Sequence, residues 1–233
     1  MFKDYDFIYI DYTGIVKDTG EVFDTTIEEV AKKANIAEEG KSFEPLLVIL
    51  GEHAVVKGLE EELYKMSVGE EKEIEVLPEK AYGDRDPNKT RIVPISRFSR
   101  PSSIKPNTRV RLEDGTIATV RSVSGGRVFL DLNHPLAGKT LVFKVKVISK
   151  LENEKDKILA ILRRRFGKNI TEKFVIELSE DLKKVRLQVP NEISLGQDVQ
   201  FLQYFAARDI LLFVLPEASV SFVYEFTKNS IST

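Results

Sequence analysis

Short strand-like runs, many of them closed by a glycine or proline turn signal, recur along most of this chain, and only a few stretches carry the spacing of a helix. That alternation points to an α+β fold. Residues 5–12 (YDFIYIDY) are aromatic and β-branched, as a strand requires, and Thr13-Gly14 and Asp18-Thr19-Gly20 mark turns. Thr25-Thr26 is expected to cap a short helix through Ile27, Val30 and Ala34. Residues 46–50 (LLVIL) read as a buried strand ending at Gly51. From Val55 to Met66, the residues Val55, Val56, Leu59, Leu63 and Met66 share one helical face. Glu71 to Val76 alternates as a half-buried strand.

The middle of the chain changes character. Asp84 to Pro106 carries Pro87, Pro94, Pro101 and Pro106 among scattered charges. Arg109–Leu112, Ile117–Val123 and Val128–Leu132 then read as a three-stranded antiparallel meander, with Asp114-Gly115 at its first turn. Thr140 to Ile148 alternates as a long strand. After a charged junction at 151–157, Ile158, Leu159, Ile161, Leu162 and Phe166 space as a helix with Gly167 at its end. Phe174–Leu178 and Val185–Val189 read as strands, Val199–Arg208 as a helix, Ile210–Leu215 as a buried strand and Ser219–Phe226 as a final strand. The order helix–strand–strand–helix–strand–strand suggests a separate C-terminal α+β domain.

Cysteine is absent, which removes disulfides, thiol catalysis and Cys-based metal sites, and with only His53 and His134 no histidine cage can form. We expect neither metal nor other cofactor. Lys and Arg number 35 against 37 Asp and Glu, a balance that argues against a dedicated nucleic-acid binder. The run Arg163-Arg164-Arg165 is expected to be a solvated helix face. The longest strongly apolar stretch, Ile210–Leu215, is far short of the ~20 residues a membrane span needs. The opening MFKDYDFIYIDYTG lacks the pattern of a signal peptide, so a cytoplasmic location is the default expectation.

Six segments carry a family resemblance: IDYTG (10–14), VFDTT (22–26), AVVKGLEEEL (54–63), MSVGE (66–70), AYGDRD (81–86) and NHPLAGKTLVFKVKV (133–147). In content, order and spacing they resemble the FKBP family of peptidyl-prolyl isomerases. The insertion between the AYG turn and NHPLAG resembles the SlyD-type subfamily, which carries an insert-in-flap chaperone domain there. The long C-terminal region resembles the long archaeal members. The resemblance implies an FKBP-type antiparallel sheet wrapped on a short helix, with a small inserted β domain and a C-terminal α+β domain. The expected boundaries are 1–84 plus 130–150 for the isomerase domain, 85–129 for the insert and 151–233 for the C-terminal domain.

The implied activity is cis-trans isomerisation of X-Pro bonds, coupled to chaperone binding of unfolded or partly folded polypeptides. The alternative is a holdase with a vestigial pocket. By spacing alone, Phe23, Val55 and Phe143 read as core, Asp24 as a helix cap, Tyr82 as a turn residue and His134 as a loop residue. The resemblance instead assigns Tyr12, Phe23, Asp24, Leu46, Val55, Val56, Leu59, Tyr82 and Phe143 to the pocket. His134 falls near its rim, and Leu136 and Ala137 close one wall. Leu59 stands where drug-binding members have a Trp floor, and Leu46 where they have an aromatic. Candidate client-binding residues are Ile92, Val93, Ile95, Phe98, Val110, Leu112, Ile117 and Val120, about half of which must instead form the insert's own core. The apolar surplus of residues 151–233 suggests a homodimer through that domain.

Overall fold

The structure, a computed structural model, describes residues 1–38, 40, 42–193 and 196–226. Its elements in chain order are β1 (Phe7–Val16), β2 (Val22–Thr25), α1 (Glu28–Lys33), β3 (Leu46–Ile49), α2 (Lys57–Leu63) and β4 (Glu71–Val76). Next come β5 (Thr90–Pro94), β6 (Arg109–Arg111), β7 (Ile117–Ser124), β8 (Arg127–Asp131) and β9 (Leu141–Leu151). Last are α3 (Glu154–Phe166), α4 (Lys168–Thr171), β10 (Val175–Leu178), β11 (Lys184–Gln188), α5 (Val199–Phe213) and β12 (Ser219–Val223). The α+β class holds.

The main sheet has five strands in the order β2-β1-β9-β4, with β3 also on β1 and every pairing antiparallel. β1 pairs with β9 along one edge. On its other edge it shares partners, β3 facing Phe7–Ile10 and β2 facing Thr13–Ile15. Because strand side chains alternate between faces, Ile8 and Ile10 enter one core with Val48, Leu63, Met66 and Val145. Phe7 enters another with Leu47, Ile49 and the C-terminal residues Ile158, Ile161, Leu187 and Ile210. α2 lies on the first face, and Gly58 permits it: a Cβ there would sit 2.6 Å from Val76 Cγ1.

Residues 90–131 form a separate four-stranded sheet, β5-β8-β7-β6, around Ala118, Val120, Val128 and Leu130. The proline-rich stretch therefore contributes a strand, β5, that the expected meander lacked. Pro94 stands at the end of β5, on the edge of the sheet, where a missing N–H is tolerated. Asn133 ties the two ends of the insertion together, accepting from Asp86 N at 3.0 Å and donating to Asp86 O at 2.9 Å.

The C-terminal layer sets β10-β11-β12 against α3 and α5, with β12 parallel to β11. A parallel neighbour needs a crossover, and α5 supplies it. Ile210–Leu215 is consequently not a strand but the last turn of α5 and its exit. No glycine or proline interrupts 199–215, and the apolar run continues the helix until Pro216.

Smaller expectations also change. Neither Thr25 nor Thr26 is the N-cap of α1, which is Ile27 without a side-chain bond; the Thr25 hydroxyl donates to Tyr12 O and accepts from Ile27 N at 3.1 Å, and the Thr26 hydroxyl donates to Asp11. Val55 precedes α2 and Val56 is its N-cap residue. Nor is the arginine run a solvated face. Arg163 pairs with Glu44, Arg164 with Glu52 at 2.6 Å and Asp209 at 2.9 Å, and Arg165 with Asp209. Among the described residues no helix is long and apolar enough to cross a membrane.

Candidate active site

A cavity of about 360 Å³ opens on the first face of the main sheet, lined by Tyr12, Phe23, Asp24, Leu46, His53, Ala54, Val55, Val56, Leu59, Tyr82 and Phe143. Strand β9 sends Phe143 up through the sheet, and the Phe23 ring meets it edge-on, centroids 5.8 Å apart and planes at 89°. Tyr12 joins the cluster at 6.3 Å from Phe143. Such tilted contacts are the favoured geometry of aromatic pairs. Gly14 makes room for them, since a Cβ there would meet Phe23 Cζ at 2.5 Å. Leu59, on α2, is 2% exposed and forms a small aliphatic floor.

One polar pair sits in this apolar shell. The Tyr12 hydroxyl donates to Asp24 Oδ2 at 2.5 Å, and Asp24 Oδ1 accepts from Thr25 N at 2.9 Å. Asp24 therefore holds the strand end and the Tyr12 ring rather than capping α1. Burial, and then the bond to Asp24, push the Tyr12 phenol well above its ordinary range, so it remains a proton donor.

The wall from His53 to Val56 is fixed from behind. Glu60, buried on α2, accepts from Gly51 N at 3.0 Å and His53 N at 3.3 Å and contacts His53 Nδ1 at 2.7 Å. This holds His53 in the left-handed region at φ 58°. From the other side Glu52 is held by Arg164 of α3. His53, Ala54 and Glu60 escaped the sequence reading. The signal for Glu60 was a carboxylate on the buried face of a helix.

Tyr82 stands at the opposite rim, 39% exposed. A 3-10 turn over Pro78–Lys80 delivers it, and Gly83 closes that turn by donating to Pro78 O at 2.7 Å. Burial and the nearby Asp24 raise its phenol. His134 does not line the cavity; it stacks on the outer face of Tyr82. Leu136 and Ala137 also lie outside the lining, with Leu136 packed against the core and Ala137 buried. The structure thus brings nine of the expected pocket residues together and puts His134, Leu136 and Ala137 behind the rim. A larger cleft of about 540 Å³ lies beside α1, but Lys72, Lys144, Lys146, Glu71 and Glu73 line it and it has no aromatic wall.

The insert's candidates divide. Val120 is fully buried and has no surface to offer a client, which corrects its assignment. Val93, Ile95, Phe98, Val110 and Leu112 are half-buried against the small core. Ile92 and Ile117 are 54% and 56% exposed. No group of three or more His, Asp or Glu side chains suited to a metal occurs among the described residues.

The family model of the FKBP-type peptidyl-prolyl cis-trans isomerase matches residues 1–148, and a model described as FKBP26_C-terminal matches residues 154–227. A short-type peptidyl-prolyl cis-trans isomerase of Methanocaldococcus jannaschii is 37% identical over 147 residues, covering 63% of this chain and 92% of that protein. The SlyD isomerase of Helicobacter pylori is 35% identical over 133 residues, 54% of this chain and 70% of that one. The SlyD isomerase of Aeromonas hydrophila is 39% identical over 142 residues, 60% of each chain.

Proposed function

This chain belongs to the FKBP-type peptidyl-prolyl cis-trans isomerases, and we propose that its catalysis resides in the cavity between Tyr12, Phe23, Phe143 and Tyr82. Rotation about an X-Pro bond must overcome a barrier of about 18–20 kcal/mol, because it breaks amide resonance. A planar amide carries charge on its carbonyl oxygen that water solvates well; the twisted amide has lost much of it. A dry ring-lined cavity therefore favours the twisted form over both planar ones. The proline ring sits against Phe23, Phe143 and Leu59. The Tyr82 hydroxyl, kept protonated, donates to a substrate carbonyl. The Tyr12–Asp24 pair sets a hydroxyl and a carboxylate beside the aromatic wall of this cavity, and that couple is the observation that carries the reading.

The inserted sheet, residues 85–129, is the client-capture unit in this proposal. Its support is the pair of solvent-facing aliphatic residues, Ile92 and Ile117, on a sheet with open edges. Capture raises the concentration of a client's prolines at the pocket. Deleting residues 86–128 is expected to leave isomerisation of a short peptide intact and to abolish acceleration of proline-limited refolding. Equal loss on both substrates overturns a separate capture site. Proton exchange spectroscopy on a prolyl peptide separates this enzyme from a holdase, which leaves the cis/trans rate unchanged.

We also propose that residues 151–233 form a domain through which two copies associate. The observation behind this is the outer face of α5, where Phe201 and Tyr204 are each 66% exposed beside Leu212. Light scattering of the full chain tests it, and a monomer removes the idea.

A further inference from the structure

The charge of this protein is divided. Residues 85–129 carry ten cationic side chains, eight of them arginine, against only Asp86, Glu113 and Asp114. That is a formal +7 within a chain whose net charge is −2, so the remainder carries −9. Few of these cations are neutralised: Arg85 and Arg121 share the buried Asp131, and Arg91 pairs with Asp114 at 2.7 Å. Arg97 and Arg111 are exposed and make no ion pair among the described residues.

Their placement is specific. β5 and β6 are the two outer strands of the inserted sheet, yet Arg91 of β5 reaches Asp114 in the turn after β6. The sheet therefore curls, and a groove of about 180 Å³ lies between its open edges. Val93, Phe98 and Leu112 give the groove an apolar lining; its charged lining is Arg97, Arg111 and Glu113 together with the paired Arg91 and Asp114, three guanidinium groups against two carboxylates. A cavity of this size admits one side chain, and the edges on either side offer unpaired backbone groups to an extended segment.

We propose that this groove selects client segments in which an apolar side chain is flanked by carboxylates. The apolar side chain enters the Val93, Phe98 and Leu112 lining while Asp or Glu beside it pairs with the forked guanidinium groups of Arg97 and Arg111. The net negative charge of the rest of the chain steers such segments to the insert and away from other surfaces. The surface suits a polypeptide better than a nucleic acid. Strand binding by nucleic-acid proteins relies on exposed rings that stack bases, and the two rings of the insert, Phe98 and Phe129, are half-buried. The proposal rests on reading the insert as the capture unit.

The test uses the full chain and three labelled unstructured peptides that share one apolar centre and differ only in flanking Glu, Gln or Lys. Fluorescence anisotropy is expected to show the Glu peptide bound about tenfold more tightly than the Lys peptide, a gap that closes at high salt. The double variant Arg97→Gln, Arg111→Gln, with its fold checked by circular dichroism, is expected to bring the Glu peptide to the affinity of the Gln peptide. Equal affinity for all three peptides overturns the charge selection and leaves capture standing. Binding of none overturns capture as well. An RNA oligonucleotide that binds more tightly than the Glu peptide and displaces it assigns the surface to nucleic acid and overturns the proposal.

Discussion

The His134 imidazole lies flat on the Tyr82 ring, centroids 4.0 Å apart and planes 7° apart. Its Nδ1 accepts from Leu136 N at 3.2 Å, which places the proton on Nε2. Burial, then the charge of Arg109, hold this imidazole below its usual range. The unfolded chain therefore takes up the proton first as pH falls. The support His134 gives the folded rim is fully present above the ordinary histidine value of about 6.5 and is lost as pH drops below it. Isomerase activity on a short prolyl peptide is expected to fall on the acid side of the ordinary histidine value. His134→Phe keeps the stack and removes the titration, so its pH profile should be flat there. An acid limb that persists in this variant would belong to another group.

Asp24→Ala is expected to lower kcat/KM about tenfold, equivalent to roughly 1.4 kcal/mol, because it releases both the Tyr12 hydroxyl and Thr25 N–H. Tyr12→Phe should reproduce part of that loss. Exchange spectroscopy on the same peptide measures both. Activity unchanged in Asp24→Ala would place the chemistry elsewhere.

Gly14→Ala drives a methyl group into the Phe23 ring. Overpacking of this kind costs about 1–3 kcal/mol. The expected result is a lower melting temperature together with a raised KM, as the ring tips into the cavity. Adding Phe23→Leu should restore the melting temperature and leave activity impaired.

Asp209 is fully buried and receives Arg164, Arg165 and Arg208. Burial alone would raise its carboxyl, but hydrogen bonds from the three guanidinium groups outweigh it and hold the group below the usual range. Its contribution is present above the ordinary carboxylate value and is lost as pH falls through the lowered one. Asp209→Ala leaves partly buried arginines without their anion and is expected to cost about 3 kcal/mol in a denaturant titration. A change under about 0.5 kcal/mol would show that solvent replaces the carboxylate freely.

The cavity residues were legible only through the six segments that carry the family resemblance, since by spacing alone Phe23, Val55 and Phe143 read as core and Asp24 as a helix cap. Although β2 did not read as a strand and no local pattern carries the order of the strands in the sheet, β1, β3, β4 and β9 of the main sheet were legible because each run has a clear period. α5 was not, because Ile210–Leu215 is short and wholly apolar, and such a run fits a strand or a helix equally; only the absence of a breaker before Pro216 distinguishes them. β5 was hidden by its proline neighbours. The roles of the arginine run were beyond any local pattern, since Glu44, Glu52 and Asp209 are distant in sequence. So was the curl of the insert, although its charge could have been counted.

β1 and β3 each turn alternate side chains to opposite cores, Phe7, Leu47 and Ile49 to one and Ile8, Ile10 and Val48 to the other. A chain cut after β9 keeps every pocket residue yet bares a greasy wall on the reverse of its sheet. The two halves are thus not interchangeable parts. A lineage that gains or sheds the C-terminal layer must rewrite every second letter of two strands in the same step.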